Sequence, residues 1–251
     1  MWRGEQGGAG KTGYPVLVFF SALFQRAVLA VLVALAAAVA NPASARRPHR
    51  PAHHPRNMPP GWTWPPNAAM RADGAVCLAR LDALGVTYTR APPTPKVTTP
   101  VYVPGMELGG VALVAISRKG PHVMDCQLAR ALADGGGAAL RAAGVRTLRF
   151  SSVHALRNVA HTRILSRHAL GLAMDVYELV GVDGTIHVVA RDYPDALLLD
   201  AERRGMDSRV FRALLTPGND SPAHRDHFHF EARSTGEVWR PLAPAPVSSA
   251  P

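Results

Sequence analysis

Most of the side chains able to do chemistry fall in two short segments, Ser166-Arg-His168-Ala-Leu-Gly171-Leu-Ala173-Met-Asp175 and His224-Arg-Asp-His227-Phe-His229-Phe-Glu231. A zinc ion used in catalysis takes three protein ligands from His, Asp or Glu and keeps a fourth position for water. His168, Asp175 and His229 supply such a set. A lone histidine is ordinarily a satisfied core or surface group. The clustering of His168, Asp175, His224, His227, His229 and Glu231 in two segments, with largely period-two placement in the second, argues for a metal site.

The elements that must bring them together can be read from the pattern. Residues 172–177 form a small, apolar run, and Phe228-His229-Phe230 alternates aromatic with polar, so both read as strands with side chains pointing alternately to opposite faces. His227, His229 and Glu231 then share one face, and Phe228 and Phe230 point into a core. On the other strand Ala173, Asp175 and Tyr177 share a face. Pairing of the two strands would set Asp175 opposite His229, and Gly171 would let the preceding loop turn tightly enough to bring His168 over them. Asp226 points away from His227 and His229 in this reading and is a surface charge, whereas Glu231 is placed to support the ligands from behind.

At these residues the chain resembles a known group. Ser-x-His-x-x-Gly-x-Ala-x-Asp followed by His-x-His is similar to the pattern of zinc peptidases of the lysostaphin and D-Ala-D-Ala carboxypeptidase type, which act on peptidoglycan cross-links and stem peptides. More narrowly it resembles the bacterial extensin-like C-terminal domain family, over about residues 75–233. The Cys77-Leu-x-x-Leu81-x-x-Leu84-Gly85-Val86 and Cys126-Gln-Leu128-Ala129-x-x-Leu132 segments, the Asp183-Gly184 turn and the closing His224-x-x-His227-x-His229 support it. Two departures stand out. The family carries an acidic residue where this chain has Arg167, and an aromatic-Ser-Cys-Arg segment where it reads Val153-His-Ala-Leu-Arg157, which leaves Arg157 as the match to the family's arginine.

The resemblance implies zinc held by His168, Asp175 and His229, with His227 taking a proton from the activated water. His224 would orient substrate or support the ligands, and Arg157 would face the developing oxyanion. Ser166 reads as a hydrogen-bonding support for the His168 loop, since no base is placed to make it a nucleophile. The substrate expected is a peptidoglycan peptide. The competing reading is a zinc-containing envelope-binding or structural module without activity, with Arg167 and the missing aromatic-Ser-Cys segment as marks of a degraded site; a hydrolase acting on another polymer is a third.

The rest of the chain frames this domain. Residues 27–40 are an unbroken apolar stretch preceded by Arg26, and Ala43-Ser-Ala45 before Arg46-Arg47 reads as a cleavage site, so residues 1–45 are expected to be a secretory signal, with an uncleaved membrane anchor as the alternative. Of the net charge of +10, residues 1–45 carry +2 and Arg46, Arg47, Arg50 and Arg56 add +4, leaving +4 for the remainder. Residues 46–66 hold seven prolines and read as an extended spacer; residues 241–251 have the same character. An exported, periplasmic or secreted location suits anionic envelope polymers as partners and excludes nucleic acid. In an oxidising compartment Cys77 and Cys126 are expected to form a disulfide.

Residues 67–240 then form one domain. Residues 75–84 and 126–143 show helical apolar spacing, the second broken at Gly135-Gly136-Gly137. Residues 111–116, 147–151, 172–180, 185–190 and 227–232 read as strands, Asp183-Gly184 as a hairpin turn, and 197–215 as a helix-and-loop connection. The fold class expected is α+β, a small antiparallel sheet carrying the zinc site and flanked by helices.

Overall fold

The computed structural model describes residues 57–234 and Glu237, apart from residues 118, 119 and 221. The signal or anchor segment, most of the Pro-rich spacer and the 241–251 tail lie outside the described residues. Among the described residues, no helix is long and apolar enough to cross a membrane.

The first element, α1 (Ala68–Ala83), begins seven residues before its apolar pattern does, because the side chain of Asn67 accepts the Met70 N–H and caps it. Its inner face carries Cys77 and Leu81, both fully buried. Short strands follow: β1 (Thr89–Arg90), β2 (Pro100–Tyr102), β3 (Glu107–Leu108), β4 (Val111–Ala115) and β5 (Met124–Asp125). Strands β1, β2 and β5 make a small antiparallel sheet of their own that the sequence pattern did not announce.

Asp125 caps α2 (Cys126–Ala131) by accepting the Gln127 N–H, and Cys77 and Cys126 are bridged, with Cα atoms 6.1 Å apart. The expected break in the next stretch is present but begins one residue early, at Asp134 and Gly135, where Gly135 takes φ +116°. Beyond it α3 (Gly137–Ala142) starts with Gly137 pressed against Gly109, where a Cβ would meet backbone atoms at 2.5–2.8 Å.

The main sheet has seven strands. Along it run β3, β4, β6 (Val145–Ser152), β7 (Ala173–Gly181), β10 (Phe228–Ala232) and β9 (Phe211–Leu215), with β8 (Ile186–Val188) on the side of β7. All neighbours are antiparallel except β4 and β6. The class is therefore α+β as expected, on a larger, mixed sheet.

Two pieces of the connection differ from the sequence reading. The 185–190 segment is strand only to Val188 and then turns into a short helix, α4 (Val189–Asp192). The 197–215 stretch is a helix, α5 (Ala196–Asp207), followed by β9. Helices α2, α3 and α5 pack on the sheet. Between them lie Leu128, Leu132, Leu148, Phe150, Met174, Val176, Phe228 and Phe230, all fully buried, which place the core on the face opposite the polar residues of β7 and β10.

Candidate metal centre

Strands β7 and β10 pair antiparallel with His229 opposite Asp175, Phe228 opposite Val176 and Phe230 opposite Met174. That register puts the two polar side chains on one face and four apolar ones on the other. A one-residue slip would turn the polar side chains into the core and the phenylalanines out of it, so the hydrophobic pattern itself fixes the register.

His168 arrives from a single 3-10 turn, Arg167–Leu170. Ser166 caps this turn through its Oγ, which accepts the His168 N–H, and Gly171 ends it at φ +67°. A Cβ on Gly171 would lie 2.8 Å from the Asp125 backbone nitrogen, so both conformation and space require glycine there.

Three ligating atoms converge, all on buried residues. His168 Nε2 lies 3.0 Å from Asp175 Oδ1 and 3.3 Å from His229 Nδ1, and His229 Nδ1 lies 2.6 Å from the same oxygen. Ligands at zinc–nitrogen bond lengths on a tetrahedron stand ~3.3 Å apart, so two edges of this triangle fit a bound ion with small adjustment. The proton inventory points the same way. His168 Nδ1 is 2.9 Å from the Val153 carbonyl, which only accepts, so Nδ1 carries a hydrogen and Nε2 is the ring atom turned toward Asp175. His229 Nε2 is 3.2 Å from the Glu231 carboxylate, which fixes its hydrogen there. Its Nδ1 then faces Asp175 and needs a cation between them, either a proton or a metal.

In the metal-free chain that cation is a proton. Burial opposes charge on His229, but Asp175 and Glu231 outweigh it and raise the imidazole to about 9. Burial likewise pushes the Asp175 carboxyl up, and the hydrogen bonds from His168, His227 and His229 hold it far below the usual carboxylate range. The donor set of two imidazoles and one carboxylate therefore fits zinc.

Around this triangle stand groups suited to proton transfer. His227 Nε2 is 3.4 Å from Asp175 Oδ1, and its Nδ1 is held by Asp226 Oδ1 at 2.7 Å. Its ring stacks on Tyr177 at 5.0 Å and meets His224 edge-on, also at 5.0 Å. Burial lowers the His227 pKa, yet Asp175 and Asp226 more than offset it and the net shift is upward. His224 is held by Asp220 at 2.8 Å, and burial together with the neighbouring His229 and His227 pulls its pKa down. His224, His227 and His229 form a second group whose ligating atoms lie within 4.8 Å of one another. Arg157, half-exposed, reaches Asp175 Oδ2 at 3.5 Å, and Ser152 Oγ donates to the same oxygen at 3.2 Å.

A family model described as "Extensin-like protein C-terminus" matches residues 75–240. The chain belongs to this extensin-like family. No curated protein and no solved structure matches it.

Within this extensin-like domain the structure gathers every residue singled out from the sequence: His168, Asp175 and His229 at the centre, His227, His224 and Arg157 beside it, and Glu231 behind His229. Asp226 is the exception to the face argument. Strand β10 begins only at Phe228, so alternation does not extend to residues 226 and 227, and Asp226 lies against His227 instead of turning away. Tyr177, expected on the Asp175 face, stacks on His227, whereas Asp220, Ser152 and the Val153 carbonyl were missed, having no pattern that marks them.

The Arg167 departure has a structural explanation. Its guanidinium is buried, donates to both oxygens of Glu237 at 2.8 Å and to the Ala232 carbonyl at 2.6 Å, and reaches the Asn57 carbonyl at 3.3 Å. Arg167 thus ties the His168 turn to the end of β10 and to two distant segments, and faces away from the ligating atoms.

Proposed function

We propose that this domain is an exported zinc-dependent hydrolase acting on peptidoglycan peptides, at cross-links or stem peptides. The observation that carries the reading is the convergence of His168 Nε2, Asp175 Oδ1 and His229 Nδ1, with the carboxylate-held imidazole of His227 aimed at the same oxygen. His168, Asp175 and His229 would hold the ion. When bound, zinc would supply a Lewis acid and lower the pKa of a water to about 7.

The chain's own groups then divide the remaining work. Asp226 accepts the Nδ1–H of His227 and so leaves Nε2 as the atom that takes and returns a proton. Arg157 offers a fixed cation to the oxygen of a peptide carbonyl as negative charge develops on it. Tyr177 and His224 limit how far the His227 ring can swing. Ser152 holds the second oxygen of Asp175.

The resemblance to lysostaphin- and carboxypeptidase-type peptidases supports the substrate class, and the Cys77–Cys126 bridge supports an oxidising compartment. The non-catalytic reading took Arg167 as a sign of decay. The buried anchor made by its guanidinium weakens that sign, and the missing aromatic-Ser-Cys segment is the one that still favours the non-catalytic reading. Incubation of the zinc-loaded protein with peptidoglycan, with muropeptides read by mass spectrometry, should show loss of one peptide bond. Unchanged muropeptides from zinc-replete wild-type protein would favour the binding module.

A further inference from the structure

We propose that Glu231 is a positioning residue for this centre: it accepts the Nε2–H of His229 and thereby presents Nδ1 of that ring to the metal, with Arg212 holding the carboxylate in place. The inference rests on the metal-binding reading above and adds to it which nitrogen binds and what fixes it.

The two histidine ligands use opposite ring atoms. His168 gives its Nδ1–H to a neutral acceptor, the Val153 carbonyl at 2.9 Å, and turns Nε2 inward. His229 comes from a strand directly opposite Asp175, so the ring atom nearest its own backbone, Nδ1, is the one that reaches the shared oxygen, at 2.6 Å. Its Nε2 points onward along β10 and meets Glu231 Oε1 at 3.2 Å. A carboxylate only accepts, so this contact excludes the tautomer in which Nε2 carries the lone pair.

Glu231 is itself prevented from turning away. Its residue is buried, its other oxygen is bonded by Arg212 from β9, and Arg212 Nε lies 3.3 Å from Glu237 Oε1. Glu237 in turn is gripped by Arg167, the neighbour of His168. The pairing of β10 with β9 shifts register between Glu231 and Ala232, an irregularity of the kind that re-aims a side chain. Beside the proposed metal site, then, Glu231, Arg212, Glu237 and Arg167 alternate in charge from one histidine ligand to the flank of the other.

The test has two parts. In zinc-loaded wild-type protein labelled with 15N-histidine, the His229 ring should show a metal-bound Nδ1 and a protonated Nε2. Zinc affinity measured by chelator competition should fall about tenfold to a hundredfold in E231A. E231Q, whose amide oxygen still accepts the N–H, should recover part of that loss and covers the case of an E231A chain that does not fold. A wild-type chain that takes up no zinc overturns the metal reading and this assignment with it. Zinc bound through His229 Nε2, or held with undiminished affinity by a folded E231A and by E231Q, overturns the assignment alone.

Discussion

Replacing Arg167 by Glu, the kind of residue the family pattern has at that position, tests whether the arginine is an anchor or a blemish. Its side chain is 0% exposed and its partner Glu237 is 7% exposed, so the substitution strands one buried carboxylate and places a second beside it. It also removes the donor to the Ala232 and Asn57 carbonyls. Breaking a buried pair by removing one partner costs about 3–5 kcal/mol, against a total stability of about 5–15 kcal/mol for an ordinary domain. For a domain of this size that is roughly a 6–20 °C fall in Tm. Thermal denaturation followed by circular dichroism, with the disulfide intact, should show it. Arg167→Met combined with Glu237→Gln removes both charges and should recover much of the loss, since a neutral replacement of a buried pair is often tolerated. An Arg167→Glu protein that melts within about 2 °C of wild type would refute the anchor, since that shift corresponds to under about 1 kcal/mol.

Three further outcomes are expected. Reduction of the Cys77–Cys126 bridge frees a 49-residue separation and should lower stability by about 4 kcal/mol, readable in denaturant melts with and without reductant. His227→Ala should keep its zinc by elemental analysis yet lose about a hundredfold in muropeptide turnover, and Asp226→Asn should keep zinc with a smaller loss; zinc lost from His227→Ala would make that residue a ligand. In metal-free protein the His229 pKa is raised from 6.5 to about 9, so its contribution is fully present below pH 6.5 and disappears as pH rises through 9. Unfolding free energies from denaturant melts at pH 6 and pH 9.5 should therefore differ by a few kcal/mol, and the difference should shrink in His229→Ala.

The sequence carried the site further than it carried the fold. Period-two alternation around Asp175 and His229 predicts the β7–β10 register, because one face is apolar throughout and slippage is penalised. The same rule failed at Asp226, where the chain has not yet entered the strand. Strands β1, β2, β3 and β5 are two or three residues long and have no periodicity to read. Strand β9, with Phe211 and Leu214 buried, sits inside a stretch whose apolar spacing also suits a helix. The bonds made by Arg167 join segments 70 and 110 residues apart, which local pattern cannot reveal.

The buried guanidinium of Arg167 also has a topological meaning. A single nitrogen, Nη1, bonds Asn57 at one end of the described domain and Glu237 at the other. The domain is thus a closed loop of chain, clasped beside the turn that carries His168. Joining residues 57 and 237 through a short flexible linker and opening the chain in an exposed loop such as Val182–Gly184 should give a circular permutant that still folds. Mechanical load on either of these ends would reach the clasp first, one residue away from His168, a ligand of the proposed metal site.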